Sequence, residues 1–250
     1  MDLTKDNITE LIKKIAIPAS VGTFFQTMYH LVDSKFAGLI SPEALTAIVK
    51  SFPIYLIIIA ASVGISAGTT ALISNTLGQK DTEKASVLFA QSIIVALLIT
   101  FVVTFIGIAS IKDILIILKS NNQIISYATD YMNVIFSGSI VIFLLVTINA
   151  SLVSRGDTKS YRNVLIFSFF LNILLNPLFI YGFYLIPAMG ISGIALATIV
   201  SELIGLIYLI YKINKTEIRE YLSPECFKPK IALISDILKQ AVPSGLSMGM

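Results

Sequence analysis

Three long runs without a charged side chain govern what this chain can fold into. Ser51 to Gln79 lies between Lys50 and Lys80, Ala85 to Ile111 between Lys84 and Lys112, and Tyr131 to Ser154 between Asp130 and Arg155. Each exceeds the roughly 20 residues that a helix needs to cross the hydrocarbon core of a bilayer. Of the 250 residues, 56% are hydrophobic and only 13% charged, a balance outside the usual range of water-soluble domains. Transmembrane strands are excluded, because the apolar segments are too long and do not alternate.

A fourth charge-free run, Asn163 to Ser201, is long enough for two crossings. It is divided by GFYLIPAMG, residues 182 to 190, whose Tyr, Phe and Pro suit a hairpin at the membrane interface. The first crossing starts at Ile15, after Lys13 and Lys14. Gln26, His30 and Asp33 interrupt it and no small-residue cleavage site follows, so it reads as a retained helix and not as a signal peptide. Six helices are thus expected at about 15–39, 49–77, 85–109, 125–152, 163–182 and 190–211. The sequence predicts an all-α membrane protein: a six-helix bundle over residues 1–211, a cytoplasmic linker over 212–236 containing Pro224 and Pro229, and the start of a seventh helix over 237–250.

Lysine and arginine set the expected orientation. With the N-terminus in the cytoplasm, all of the 18 basic residues except Lys35, Lys50, Lys112 and Lys119 fall on the inside, as the positive-inside rule requires. The net charge of +3 then belongs to cytoplasmic loops and calls for no nucleic-acid partner. Cys226 is the single cysteine, so no intrachain disulfide forms.

KKIAIPAS, residues 13 to 20, is echoed by LKQAVPSG, residues 238 to 245. Lys14, Ala16, Ile17 and Pro18 match Lys239, Ala241, Val242 and Pro243 in order. Six crossings lie between the two copies, so both enter from the same side, as in parallel repeats related by an axis along the membrane normal. On this reading residue 250 falls within the seventh helix of a second lobe, and the chain is part of a longer protein.

IAIPASVGTFFQTMYHLVDSKFAG, ISNTLGQKDTEKA, SRGDTKSYRN, NILLNPLFIYG and MGISGIALATIVSE, spread in order over nearly the whole chain, resemble the multidrug and toxic compound extrusion (MATE) transporters. The resemblance implies twelve helices in two six-helix lobes, and export of organic compounds in exchange for protons or sodium ions. It also implies a cation network in the first lobe, made from a first-helix Asp, a helix-four Tyr, polar helix-five residues and a helix-six Thr. Here these are Asp33, Tyr131, Asn172, Asn176 and Thr198. Some members carry Asp where this chain has Asn176, which leaves one exchangeable proton in place and weakens the case for a tight sodium site.

The residues speak partly for themselves. A carboxylate inside a membrane helix usually faces an aqueous cavity, binds a cation or exchanges a proton, although Asp33 at the very end of its helix would simply sit at the interface beside Lys35. Asn172 and Asn176 lie one turn apart on a single face, and Pro177 cannot cover the carbonyl of residue 173. The pair either lines a site or bridges helices. At about 1.5 Å per residue, all five network positions can meet in the outer half of the bundle. His30 offers near-neutral titration for a relay, or an inter-helix hydrogen bond. Glu202, in an otherwise apolar helix, is a second proton group or a paired structural carboxylate. Pro18 and Gly22 mark a bending point, at which protonation of Asp33 would bias the first helix between straight and bent forms.

No HExxH, CxxC, P-loop or nucleophile elbow is present, so neither an enzyme nor an ATP-driven pump has its chemical parts. The expected function is cation-coupled antiport of organic cations or drugs across the plasma membrane, without a cofactor and with H+ or Na+ as the coupling ion. Its alternatives are a related lipid-linked oligosaccharide flippase, with a more cationic cavity, and a non-transporting membrane scaffold or fragment.

Overall fold

The computed structural model describes residues 8–249. Its helices are α1 (Ile8–Ile40), α2 (Pro42–Gly78), α3 (Thr82–Ile117), α4 (Asn122–Val153), α5 (Lys159–Tyr181), α6 (Ile191–Ile213), the single turn α7 (Ile218–Tyr221) and α8 (Ile231–Gly249), with a 3-10 turn at Pro224–Phe227. Among the described residues α2 to α6 are each long and apolar enough to cross a membrane. The expected first crossing, α1, has 33 residues and so spans about 50 Å. Its length suffices, but Gln26, His30 and Asp33 dilute its apolar character, and it lies against α5, α2 and α6.

α2, α3 and α5 start earlier than hydropathy alone predicts, because polar side chains set their ends. α2 begins at Pro42 and not near 49: the Ser41 hydroxyl accepts from the Ala44 N–H at 3.0 Å, and proline fits the first helical position. Asp81 caps α3 through the Lys84 N–H at 2.9 Å. α3 then runs past 109 to Ile117, taking in Lys112 and Asp113. Its end is held by Lys50, whose Nζ donates to the Leu118 carbonyl at 3.1 Å and the Ser120 hydroxyl at 3.0 Å. α5 begins at Lys159 because Asp157 accepts from both the Ser160 N–H and its hydroxyl.

α4 is the central helix, packed on α2, α3 and α6, and it contributes the fully buried Met132, Ile135 and Phe143. The expected hairpin between α5 and α6 is present. Phe183 and Ile186 exchange backbone hydrogen bonds at 3.0 and 2.9 Å, and Gly182 turns the chain at φ +76°. Tyr184 and Leu185 stand almost fully exposed at its tip, as aromatic and apolar side chains do at a membrane interface.

The segment after α6 is more ordered than a linker reading implies. The Ser86 hydroxyl of α3 lies 3.0 Å from the Ile218 carbonyl and 2.9 Å from that of Thr82 in its own helix, and has one proton to share between them. The fully buried Gln91 of α3 donates from Nε2 to the carbonyls of Cys226 (2.7 Å) and Lys228 (2.9 Å), and its Oε1 accepts from the Lys230 N–H at 2.8 Å. α8 begins at Ile231, within the stretch read as linker, and lies along α2. Gly64 and Gly68 of α2 face the backbone of Ala241 and Ile237, and Gly245 of α8 faces Ala60. Ala60, Gly64 and Gly68 form a stripe of small residues at i, i+4, i+8, the spacing that lets two membrane helices approach closely.

Candidate functional site

Asp33, toward the end of α1, is only 3% exposed and enclosed by α5 and α6, so it does not sit at the interface beside Lys35. Its Oδ1 accepts from Asn176 Nδ2 at 3.1 Å and its Oδ2 from the Thr198 hydroxyl at 3.0 Å. Asn176 Nδ2 uses its second proton on Asn172 Oδ1 at 2.9 Å. The i, i+4 spacing on α5 puts the two amides on one face, and both are fully buried. Thr198 Oγ1 is also 3.1 Å from the carbonyl of Ile194 in its own helix. A hydroxyl has one proton to give, so Thr198 serves either the carboxylate or its own backbone.

Every group that hydrogen-bonds Asp33 is neutral, and among the described residues no Lys, Arg or His forms an ion pair with it. An ionised carboxylate buried without a counter-charge is expensive, so such a group takes a proton or a cation. Two polar atoms at its edge, Asn172 Nδ2 and Asn176 Oδ1, have no partner. Asn176 Oδ1 is thereby free to accept from a protonated Asp33. The carboxylate, the two amide oxygens and the Thr198 hydroxyl also supply the oxygen donors that a hard cation prefers. Among the described residues no three His, Cys, Asp or Glu side chains cluster as a metal site.

The remaining candidates fall around this core. Tyr131 of α4 is buried and shares with Asp33, His30, Ser51 and Tyr55 a cavity of about 40 Å³. No hydrogen bond joins it to the carboxylate among the described residues. His30 makes an edge-to-face contact with Tyr55 of α2, ring centroids 5.8 Å apart. Its inter-helix contact is therefore aromatic, with no hydrogen bond among the described residues. Glu202 lies one turn beyond Thr198 on α6. It has no ion-pair partner among the described residues, and its Oε2 is buried without a hydrogen bond. The paired structural carboxylate is not what the structure holds. Pro18 is buried within an α1 that runs unbroken from Ile8 to Ile40. Gly22 is a point of close approach, where a Cβ would lie 3.1 Å from Leu165 Cδ1 on α5.

Sequence reasoning missed the contribution of α2. Ser51 and Tyr55 lie one turn apart and reach the Asp33 cavity, a polar i, i+4 pair inside an apolar helix that hydropathy averages away.

The MatE family model matches residues 18–178. The chain is 29% identical to the Thermotoga maritima protein named "Probable multidrug resistance protein NorM", over 98% of this chain and 53% of that protein. It is 27% identical to a Shewanella oneidensis protein named "FAD transporter", over 80% of this chain and 44% of that one. Among solved structures, a MOP superfamily transporter from Pyrococcus furiosus superposes with a TM-score of 0.84 at 28% identity, covering 95% of this chain and 52% of the other. Its description infers a different function from the reversed polarity of its binding pocket. The chain spans about half the length of the relatives it matches. A family model over more than half of the residues, homologous transporters, and a superposable all-helical bundle agree, and the chain belongs to the MatE family of multi-pass membrane transporters.

Proposed function

We propose that this chain forms the ion-coupling half of an antiporter that exports organic cations or drugs across the plasma membrane, with its N-terminus in the cytoplasm. The observation that carries the reading is Asp33: a buried carboxylate held only by neutral donors, between helices that belong to a transporter fold. Its coupling ion is H+ or Na+. Binding of either removes the uncompensated charge and releases Thr198 to its own backbone carbonyl, which changes how α1 is tied to α6. Bending at Pro18, where the helix lacks a donor, is the proposed route by which that change alters the cavity facing the cargo.

The acidic character of the interior, with Asp33 and Glu202 and, among the described residues, no lysine or arginine lining either of their cavities, favours cationic cargo over the pyrophosphate-linked sugars of a flippase. The test is efflux of a fluorescent organic cation by the full-length protein in proteoliposomes, with the proton and sodium gradients collapsed separately. Asp33→Asn should abolish ion-coupled efflux while leaving the protein folded and abundant. Gradient-dependent efflux at the parent rate in that variant would refute the assignment, and loss of abundance alone would favour a structural role.

A further inference from the structure

One helical turn from the Asp33 layer, toward the start of α1, the same three helices present a second polar layer. His30 precedes Asp33 on α1, Ser168 precedes Asn172 on α5, and Glu202 follows Thr198 on α6, each by one turn. These residues line a separate cavity of about 40 Å³, closed by Tyr29, Tyr55 and Tyr161. At 10–15 Å³ per site, that volume accommodates about three water molecules. His30 and Tyr55 stand in the walls of both cavities, so they are the partition between Glu202 and Asp33.

We infer that Glu202 is a second proton-exchanging group, served by this cavity and separated from Asp33 by the His30–Tyr55 partition. The residue is half-buried, and its Oε2 is enclosed with no partner. The groups that face it are neutral or acidic on every helix packed around it: Gln26, Tyr29 and His30 from α1, with Asp33 one layer beyond; Tyr55 from α2; the apolar Leu145 from α4; Tyr161 and Ser168 from α5. Ser168 spends its proton on the Ser201 carbonyl at 3.1 Å, and the Tyr29 hydroxyl is likewise without a partner. Among the described residues no lysine or arginine lines the cavity, so an ionised Glu202 has no fixed counter-charge there and calls for a proton or a cation.

A single carboxylate among phenols and an imidazole is suited to a proton, because the imidazole accepts and returns one at near-neutral pH. The step is transfer alone: an O–H bond forms at Oε2 as an O–H bond of a hydronium ion, or an N–H bond of a protonated His30 ring, breaks to leave water or the neutral imidazole, and the step reverses on release. No other bond changes. The role in transport rests on reading Asp33 as the coupling group, but the titration of Glu202 does not.

The experiment is infrared difference spectroscopy of carboxyl C=O bands during a pH titration of the full-length protein in liposomes, for the parent, Glu202→Gln, Glu202→Asp and Asp33→Asn. The expected result is loss of one titrating band in Glu202→Gln and a displaced but still titrating band in Glu202→Asp. The aspartate variant identifies the band even where the amide variant fails to fold. Asp33→Asn should remove a different band and leave this one. If Asp33→Asn removes none while Glu202→Gln does, the Asp33 reading fails and the Glu202 inference stands. The inference is overturned if the band at position 202 never changes protonation state. It is equally overturned if Na+ displaces the titration in the parent but not in Glu202→Gln, which would assign a metal-cation site.

Discussion

Gln91 offers a quantitative test of how firmly the chain beyond α6 is tied to the bundle. Its amide makes three hydrogen bonds to backbone groups of Cys226, Lys228 and Lys230, all at 2.7–2.9 Å, from a fully buried position on α3. Gln91→Ala removes all three. At about 1 kcal/mol net for each bond, the local opening of residues 226–230 becomes cheaper by about 3 kcal/mol, or about 100-fold in its equilibrium constant. Cys226 reports that opening directly, since it is buried at 6% exposure and is the single cysteine of the sequence. Its maleimide labelling rate should rise by about two orders of magnitude, with Cys226→Ser as the blank. Gln91→Glu should behave like the alanine variant, because its carboxylate keeps the acceptor for Lys230 but turns the other oxygen on two carbonyls. Labelling at the parent rate in a monodisperse Gln91→Ala protein would refute the reasoning and would mean that the contact between Ser86 and Ile218 suffices to hold the segment.

Two further substitutions probe the cap and the site. Ser41→Ala deletes the cap of α2 and should destabilise the protein by about 1 kcal/mol, read as a lower midpoint in a thermal size-exclusion assay. Asn176→Asp places a second carboxylate beside Asp33 Oδ1, now 3.1 Å from the amide nitrogen. It should tighten the sodium dependence of efflux by about ten- to a hundredfold, taking ~1.5–3 kcal/mol for a bond to a charged group. Unchanged sodium dependence would place the cation elsewhere.

How much of this was legible in the sequence follows from which physical signal each feature emits. Charge-free runs report crossings without ambiguity, and a carboxylate amid apolar residues reports itself, so α2 to α6 and Asp33 were readable. The i, i+4 spacing of Asn172 and Asn176 was enough to place both on one face, where Asn176 meets Asp33 and Asn172 meets Asn176. Helix ends were misplaced where a short polar side chain, not hydropathy, decides them: the helices capped by Ser41, Asp81 and Asp157 start three to seven residues earlier than expected. The grip of Gln91 on residues 226–230 was illegible, because one buried amide in an apolar helix carries no periodic signal and its partners lie far along the chain. The Ala60, Gly64 and Gly68 stripe was visible as a spacing but points to no partner until α8 is seen lying on it.

α2 is the element shared by the site and by α8. Ser51 and Tyr55 line the Asp33 cavity, while Gly64 and Gly68 further along the same helix touch the α8 backbone. Shared membership of a helix does not by itself establish energetic coupling, which must be measured as a departure from additivity. Gly68→Ala would bring a Cβ to 2.8 Å from the Ile237 carbonyl oxygen, so α8 must shift, at about 1–3 kcal/mol. If α2 passes that shift to the cavity, its effect on stability should differ between the parent and an Asp33→Asn background by more than about 0.5 kcal/mol, the margin within which independent sites add. A thermal or denaturant double-mutant cycle on the full-length protein measures this difference. Strict additivity would show that the ion site and the α2–α8 seam answer to separate constraints, and that α2 does not carry the displacement of α8 to Asp33.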